Sequence, residues 1–138
     1  MSSKSSLNVI LLADDDPDDL FLVQRLLAQA GITNPVVSVR NGDEVVSFLR
    51  SSLTGGKANV RPGLILLDIK MPKLDGFEVL RWIRKQNALR ELPVIILSGS
   101  DEPRDLKRAT ELGATDYVVK HPKPQALARL LAEYTNQS

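Results

Sequence analysis

The sequence predicts an α/β fold, an open parallel sheet of five strands with helices on both faces, and three observations predict it. Five short apolar runs recur along the chain, segments of helical spacing separate them, and capping residues punctuate the helix starts. The runs are Val9 to Ala13, Val36 to Val39, Leu64 to Leu67, Val94 to Leu97 and Tyr117 to Val119. Most are apolar at consecutive positions rather than alternating, as a strand buried on both faces requires. Strand alternating with helix then calls for right-handed parallel crossovers.

Each element has its own signal. Residues 1–7 open with Met-Ser-Ser-Lys-Ser-Ser, too polar to pack, and read as a flexible lead to one domain over 8–138. After the first run, Asp16 followed by Pro17 reads as an N-cap with proline at the first helical position. Leu20, Val23 and Leu27 then form an apolar stripe that stops at Gly31. Asn41 and Glu44 have capping-box spacing and open the second helix. Ser51 to Pro62, with Gly55 and Gly56, is the longest irregular stretch and reads as a surface excursion. Asp75 with Glu78 repeats the capping spacing ahead of the Phe77, Leu80 and Ile83 stripe. Trp82, one step off that stripe, is expected as half-exposed packing. Leu106, Ala109 and Leu112 precede the stop at Gly113, and Leu127, Leu130, Leu131 and Tyr134 form the last stripe.

Composition excludes several classes. The 138 residues carry 18 Lys plus Arg against 17 Asp plus Glu, one His and no Cys, for a net charge of +1. Without Cys there is neither a disulfide nor a zinc-thiolate site. A near-neutral charge and 4% aromatics speak against nucleic-acid binding by bulk charge or stacked rings. Arg81, Arg84, Lys85 and Arg90 make a basic stretch, but Glu78 and Glu91 dilute it to a solvated face. No run reaches the 18 or so apolar residues of a membrane span, and Val9 to Ala13 leads straight into acid rather than a cleavage site. The expected compartment is the cytoplasm.

Ligands of an open parallel sheet bind outside the carboxyl ends of its strands. Asp14, Asp15 and Asp16 follow the first run, Asp68 the third, Ser98, Gly99 and Ser100 the fourth and Lys120 the fifth. Whatever the strand order, all of them fall on one rim. Clustered carboxylates raise one another's pKa unless a cation neutralises them. Hard oxygen ligands without Cys or His favour magnesium or manganese over zinc. A lysine and a hydroxyl beside that metal suit a dianion, as in phosphoryl transfer. The bland alternative makes Asp16 a cap, Ser98 a strand-end hydroxyl, Lys120 solvated and His121 a loop residue. It leaves Asp68, at the mouth of a dry strand, without explanation.

These motifs, in this order, resemble the receiver domain of two-component response regulators. They are the acidic cluster Asp14, Asp15, Asp16, then Leu-Leu-Asp-Ile-Lys-Met-Pro around Asp68 with Asp75 and Gly76, then Leu-Ser-Gly-Ser, then Gly-Ala-Thr-Asp-Tyr-Val-Val-Lys ending at Lys120. The resemblance runs from Asn8 to about Tyr134 and includes single-domain regulators that serve phytochrome-type kinases. It implies a flavodoxin-like sheet of order 2-1-3-4-5 and a phosphoacceptor at Asp68. It also implies magnesium on Asp14, Asp15, Asp68 and the Lys70 carbonyl, and phosphoryl contacts from Ser98, Gly99 and Lys120. Ser98 and Tyr117 match the switch pair, and the Lys70 amide joins that of Gly99 around the phosphoryl group. The implied partner is a sensor histidine kinase or a phosphotransfer protein, with output by docking or dimerisation through the fourth and fifth helices. The protein would phosphorylate and dephosphorylate itself without being a turnover enzyme. Only four residues follow Tyr134, so no DNA-binding effector is expected after it.

Three other readings compete. A haloacid-dehalogenase-like magnesium phosphatase would use Asp14 and Asp16, but Asp18 stands where Thr or Val is wanted. A calcium loop starting at Asp14 needs Gly sixth and Glu twelfth, where Asp19 and Arg25 stand. A pseudo-receiver would not keep Asp15, Asp68, Ser98 and Lys120 together. One position departs from the receiver pattern: His121 replaces the proline that usually follows the lysine. A cis bond before a residue other than proline costs roughly 2.5–4 kcal/mol, so a trans Lys120–His121 peptide is expected. The alternative is a cis bond retained because Lys120 must still aim its ammonium, and either way Lys120 is expected to point toward Asp68.

Overall fold

The computed structural model describes residues 8–54 and 62–135. Strands β1 (Val9–Ala13), β2 (Val36–Val39), β3 (Pro62–Leu67), β4 (Val94–Ser98) and β5 (Asp116–Val119) alternate with helices α1 (Pro17–Gln29), α2 (Gly42–Leu53), α3 (Gly76–Lys85), α4 (Pro103–Glu111) and α5 (Pro124–Leu131). All neighbouring strands are parallel, in the order β2-β1-β3-β4-β5. The expected fold class and strand order are therefore the observed ones.

The consecutive apolar residues serve two cores. Ile10, Leu12, Leu64, Leu66, Ile95 and Leu97 face α1 and α5, where they meet Leu20, Val23, Leu27, Leu127 and Leu131. Leu11, Ala13, Ile65, Leu67, Val94 and Ile96 face the other way, onto Val45, Leu49, Phe77, Leu80, Ile83 and Ala109 of α2, α3 and α4. Period-two geometry sends alternate residues to opposite layers, so both layers must be apolar. Each such Leu or Ile contributes about 1.5–3 kcal/mol by leaving water. The edge strand β5 is different: Val119 is 42% exposed, because one side of an edge strand has only α4 and α5 beside it.

The caps form as their spacing implies. Asp16 accepts from the Asp18 amide, and Asp75 and Glu78 close a reciprocal capping box. At α2 only half the expected box forms, since Asn41 accepts from the Glu44 amide but the Glu44 carboxylate accepts from the Arg40 amide. Gly31 and Gly113 take left-handed φ angles of 82° and 98° just past α1 and α4. Trp82 is half-buried, beneath Arg50.

The structure corrects several expectations. Ser51 to Leu53 belong to α2, with the Ser52 hydroxyl donating to Leu49 O and the Thr54 hydroxyl to Ser51 O. Pro62 belongs to β3, so neither end of the expected Ser51 to Pro62 excursion is irregular. The lead at 1–7 and the glycines at 55 and 56 lie outside the described residues. Arg84 is not simply solvated, since it donates to Gly113 O and Leu89 O. The Lys120–His121 peptide is cis, not trans. The trans expectation set the local preference of the bond above the demands of its surroundings, and side-chain contacts of both Lys120 and His121 fix these two residues.

Candidate functional site

The parallel sheet brings the carboxyl ends of β1, β3, β4 and β5 to one rim, and there the predicted residues meet. Asp68 leaves β3 with its amide donating to Ala13 O at 3.0 Å, which ties it to the end of β1. Its Oδ1 accepts from the Ile69 amide at 2.9 Å. Gly76 holds the loop from behind: its amide donates to Ile69 O at 2.7 Å, and a Cβ there would run into the Asp68 carbonyl oxygen. Asp14 is buried, and its Oδ1 accepts from the Asp16 amide at 3.0 Å. Asp15 is exposed beside it. Oxygens of Asp14, Asp15 and Asp68 lie within 4.8 Å of one another, a spacing that suits one hard cation.

Lys120 crosses from β5 into this cluster. Its Nζ donates to Asp14 Oδ2 at 2.7 Å and to Asp19 Oδ2 at 2.9 Å, and lies 3.5 Å from Asp68 Oδ2. Burial alone would lower the pKa of this ammonium, but hydrogen bonds to Asp14 and Asp19 and the charge of Asp68 raise it well above the ordinary lysine value. Asp68 is pushed up to about 6, chiefly by burial and also by Asp14, against the opposing pull of Lys120. The two shifts look inconsistent for one ion pair. They are reconciled by distance: the ammonium bonds Asp14 and Asp19 directly and Asp68 only at the longer separation. The Lys120 hydrogen bond holds Asp19 below the usual carboxylate range.

On the far side of the rim, the buried Ser98 hydroxyl accepts from the Ser100 amide at 3.1 Å. The Ser100 hydroxyl donates to Asp105 Oδ2 at 2.6 Å, and its carbonyl accepts from the Tyr117 hydroxyl at 2.8 Å. Tyr117 thus stands half-buried behind the β4–α4 loop. Asp68, Lys70, Ser98, Gly99 and Lys120 line one cleft of about 810 Å³. A Cβ on Gly99 would meet nothing within 4 Å, so nothing crowds that side of the cleft. Clustered carboxylates with an ammonium among them, and a hydroxyl across the cleft, can hold a divalent cation next to a dianion.

Two residues of the site had no motif to announce them. Asp19 bonds Lys120, and His121 Nε2 lies 3.2 Å from Asp19 Oδ1. The available signal was helical: Asp19 sits three residues after the cap Asp16, in the turn nearest the rim.

Comparison with known proteins agrees with this geometry. Residues 10–132 match the model of the response regulator receiver domain. The probable methanogenesis regulatory protein FilR2 of Methanothrix harundinacea is 33% identical over 91% of this chain and 79% of its own length. Response regulator Rcp1 of Synechocystis is 37% identical over 81% of this chain and 76% of its own. The Mn2+-bound crystal structure of Rcp1 superposes with a TM-score of 0.76 at 32% identity, covering 95% of this chain and 96% of the other. The phosphorylated cyanobacterial phytochrome response regulator RcpA gives 0.77 at 34% identity, with 94% of each chain covered. The chain spans about half the length of other curated relatives it matches. Sequence, strand order and the acidic rim agree: the chain belongs to the receiver domain family of two-component response regulators.

Proposed function

We propose that this protein is a single-domain response regulator, its domain running over 8–138, that accepts a phosphoryl group on Asp68 in a magnesium-dependent reaction. The observation that carries the reading is the placement of Asp68 at a strand mouth, with Asp14 and Asp15 oxygens within 4.8 Å and Lys120 at 3.5 Å. The donor is a phosphohistidine on a sensor kinase or a phosphotransfer protein. Transfer balances simply. An Asp68 oxygen bonds to phosphorus while the P–N bond breaks, and the electron pair returns to the imidazole nitrogen, which takes up a proton.

The donor set fits a hard divalent cation. It comprises three carboxylates with neither thiolate nor imidazole among them, one of them exposed to admit water ligands. Asp14, Asp15, Asp68 and the Lys70 carbonyl would hold it, and it would supply charge neutralisation for the incoming phosphoryl oxygens. Rcp1 has been crystallised with Mn2+ and RcpA in phosphorylated form, which supports the same chemistry here. Lys120 and the Ser98 hydroxyl, with the Lys70 and Gly99 amides, face the phosphoryl oxygens. The Ser98 oxygen accepts from the Ser100 amide and its own O–H is left to donate to a phosphoryl oxygen. Because Tyr117 is bonded to the Ser100 carbonyl, a shift of Ser98 toward the phosphoryl group is passed through Ser100 to the β5 surface. Output is docking or self-association through α4 and α5.

The reading is of a cytoplasmic signalling module rather than a turnover enzyme. Among the described residues no helix is long and apolar enough to cross a membrane. Incubation with acetyl phosphate and magnesium should give one phosphoryl adduct by intact mass, and Asp68→Asn should lose it. An undiminished adduct in that variant overturns the proposal.

A further inference from the structure

We propose that Asp19 is a positioning residue for Lys120, holding the ammonium off Asp68 so that the acceptor's oxygens stay open to metal and phosphoryl group. The inference rests on the phosphoryl-acceptor reading and adds to it a residue outside the metal cluster.

A lysine ammonium has three donors. Two are committed, to Asp14 Oδ2 at 2.7 Å and Asp19 Oδ2 at 2.9 Å, while Asp68 Oδ2 is at 3.5 Å. Asp19 enters from α1, whereas Asp14 directly follows β1 and Asp68 directly follows β3, so the ammonium is drawn away from the acceptor by an element that adds nothing to the carboxylate cluster. The tether is braced. His121 Nε2 is 3.2 Å from Asp19 Oδ1, so the two oxygens of one carboxylate engage two consecutive residues, Lys120 and His121. Such a bridge fixes the rotamer of Asp19 as well as the height of the ammonium.

Without Asp19, the freed donor turns to the nearest remaining acceptor, the Asp68 carboxylate. A cation must then displace an ammonium to reach Asp68, and the lysine is no longer poised for a phosphoryl oxygen. Asp19→Asn, whose uncharged amide oxygen holds the ammonium more weakly, should therefore weaken magnesium binding, read by calorimetry, and slow phosphorylation by acetyl phosphate at saturating magnesium, each about fivefold, as for exchanging a carboxylate acceptor for an amide one. In that reaction an Asp68 oxygen bonds to phosphorus as the P–O bond to acetate breaks, and acetate leaves with the pair.

Asp18, exposed on the same turn, controls for loss of charge alone: Asp18→Asn should stay within twofold of wild type on both measures. Asp19→Glu should restore part of the rate. Selective 15N spectra of lysine should show the Lys120 ammonium signal moving in Asp19→Asn, and circular dichroism should report an intact fold. The tether is overturned if Asp19→Asn phosphorylates and binds magnesium as wild type does, or if Asp18→Asn is impaired equally. Failure of the acceptor reading itself looks different, as an adduct that survives Asp68→Asn.

Discussion

Replacing Asp68 by Asn should stabilise the metal-free protein at neutral and alkaline pH. The folded-state pKa of Asp68, about 6, lies above the value of 3.8 it has when solvated, mainly because burial disfavours the carboxylate. Below pH 3.8 the carboxyl is protonated in both folded and unfolded chains and contributes nothing. Between 3.8 and 6 the unfolded chain ionises first, so stability falls as pH rises, and above about pH 6 the loss is complete. At 1.36 kcal/mol per unit, the gap is about 3 kcal/mol. Asn keeps the shape without the charge, and Lys120 keeps Asp14 and Asp19, so no ammonium is stranded. For a domain of this size, about 3 kcal/mol corresponds to a midpoint rise of roughly 10 °C. Thermal unfolding in EDTA at pH 8 and at pH 4 measures it: a wide gap at pH 8, nearly closed at pH 4. Magnesium at a hundred times its dissociation constant should close much of the gap at pH 8, since binding then adds about 2.7 kcal/mol to wild type alone. A variant no more stable than wild type at pH 8, or a gap unchanged at pH 4, refutes the reasoning.

Asp15→Ala should weaken magnesium binding measured by calorimetry, because one of three clustered carboxylates is lost; equal affinity would remove Asp15 from the metal site. Gly76→Ala should cost about 1–3 kcal/mol in urea unfolding and also lower phosphoryl adduct yield, since its Cβ meets the Asp68 carbonyl rather than a side chain that can turn aside. Tyr117→Phe should cost about 1 kcal/mol and speed amide exchange in the loop from Ser100 to Glu102, while amides of β3 remain protected.

How much of this was legible in the sequence depends on the range of the physics involved. The two-layer core was legible because apolar residues at consecutive positions, as in Leu64 to Leu67, satisfy both faces of a strand locally. The rim was legible too, because parallel strands put Asp14, Asp68, Ser98 and Lys120 on one edge regardless of order. The end of α2 was misjudged because Ser51 and Ser52 look like loop residues until their neighbourhood shows carbonyls available to the Ser52 and Thr54 hydroxyls. Asp19 was missed for a different reason: its partner Lys120 is 101 residues away, and no local pattern encodes that contact. The cis peptide belongs with Asp19, since both are settled by what surrounds Lys120 and His121 rather than by the residues themselves.

Charge at the rim explains why such a site waits for a cation. Asp14, Asp15, Asp19 and Asp68 bring four carboxylates to one ammonium, Lys120, so with all of them ionised the formal balance is 1 − 4 = −3. A phosphoryl dianion approaching that balance would be repelled, and the raised Asp68 pKa works against the ionised carboxylate that the proposed acceptor role needs. A divalent cation changes both at once, bringing the balance to −1 and favouring the ionised acceptor. With Asp14 and Asp68 as ligands of such a cation, Asp19 would keep a distinct role as the anchor of the ammonium. Asp19 comes from α1 and is not one of the three clustered carboxylates, and with two donors of Lys120 on Asp14 and Asp19 the third would be left for an incoming phosphoryl oxygen.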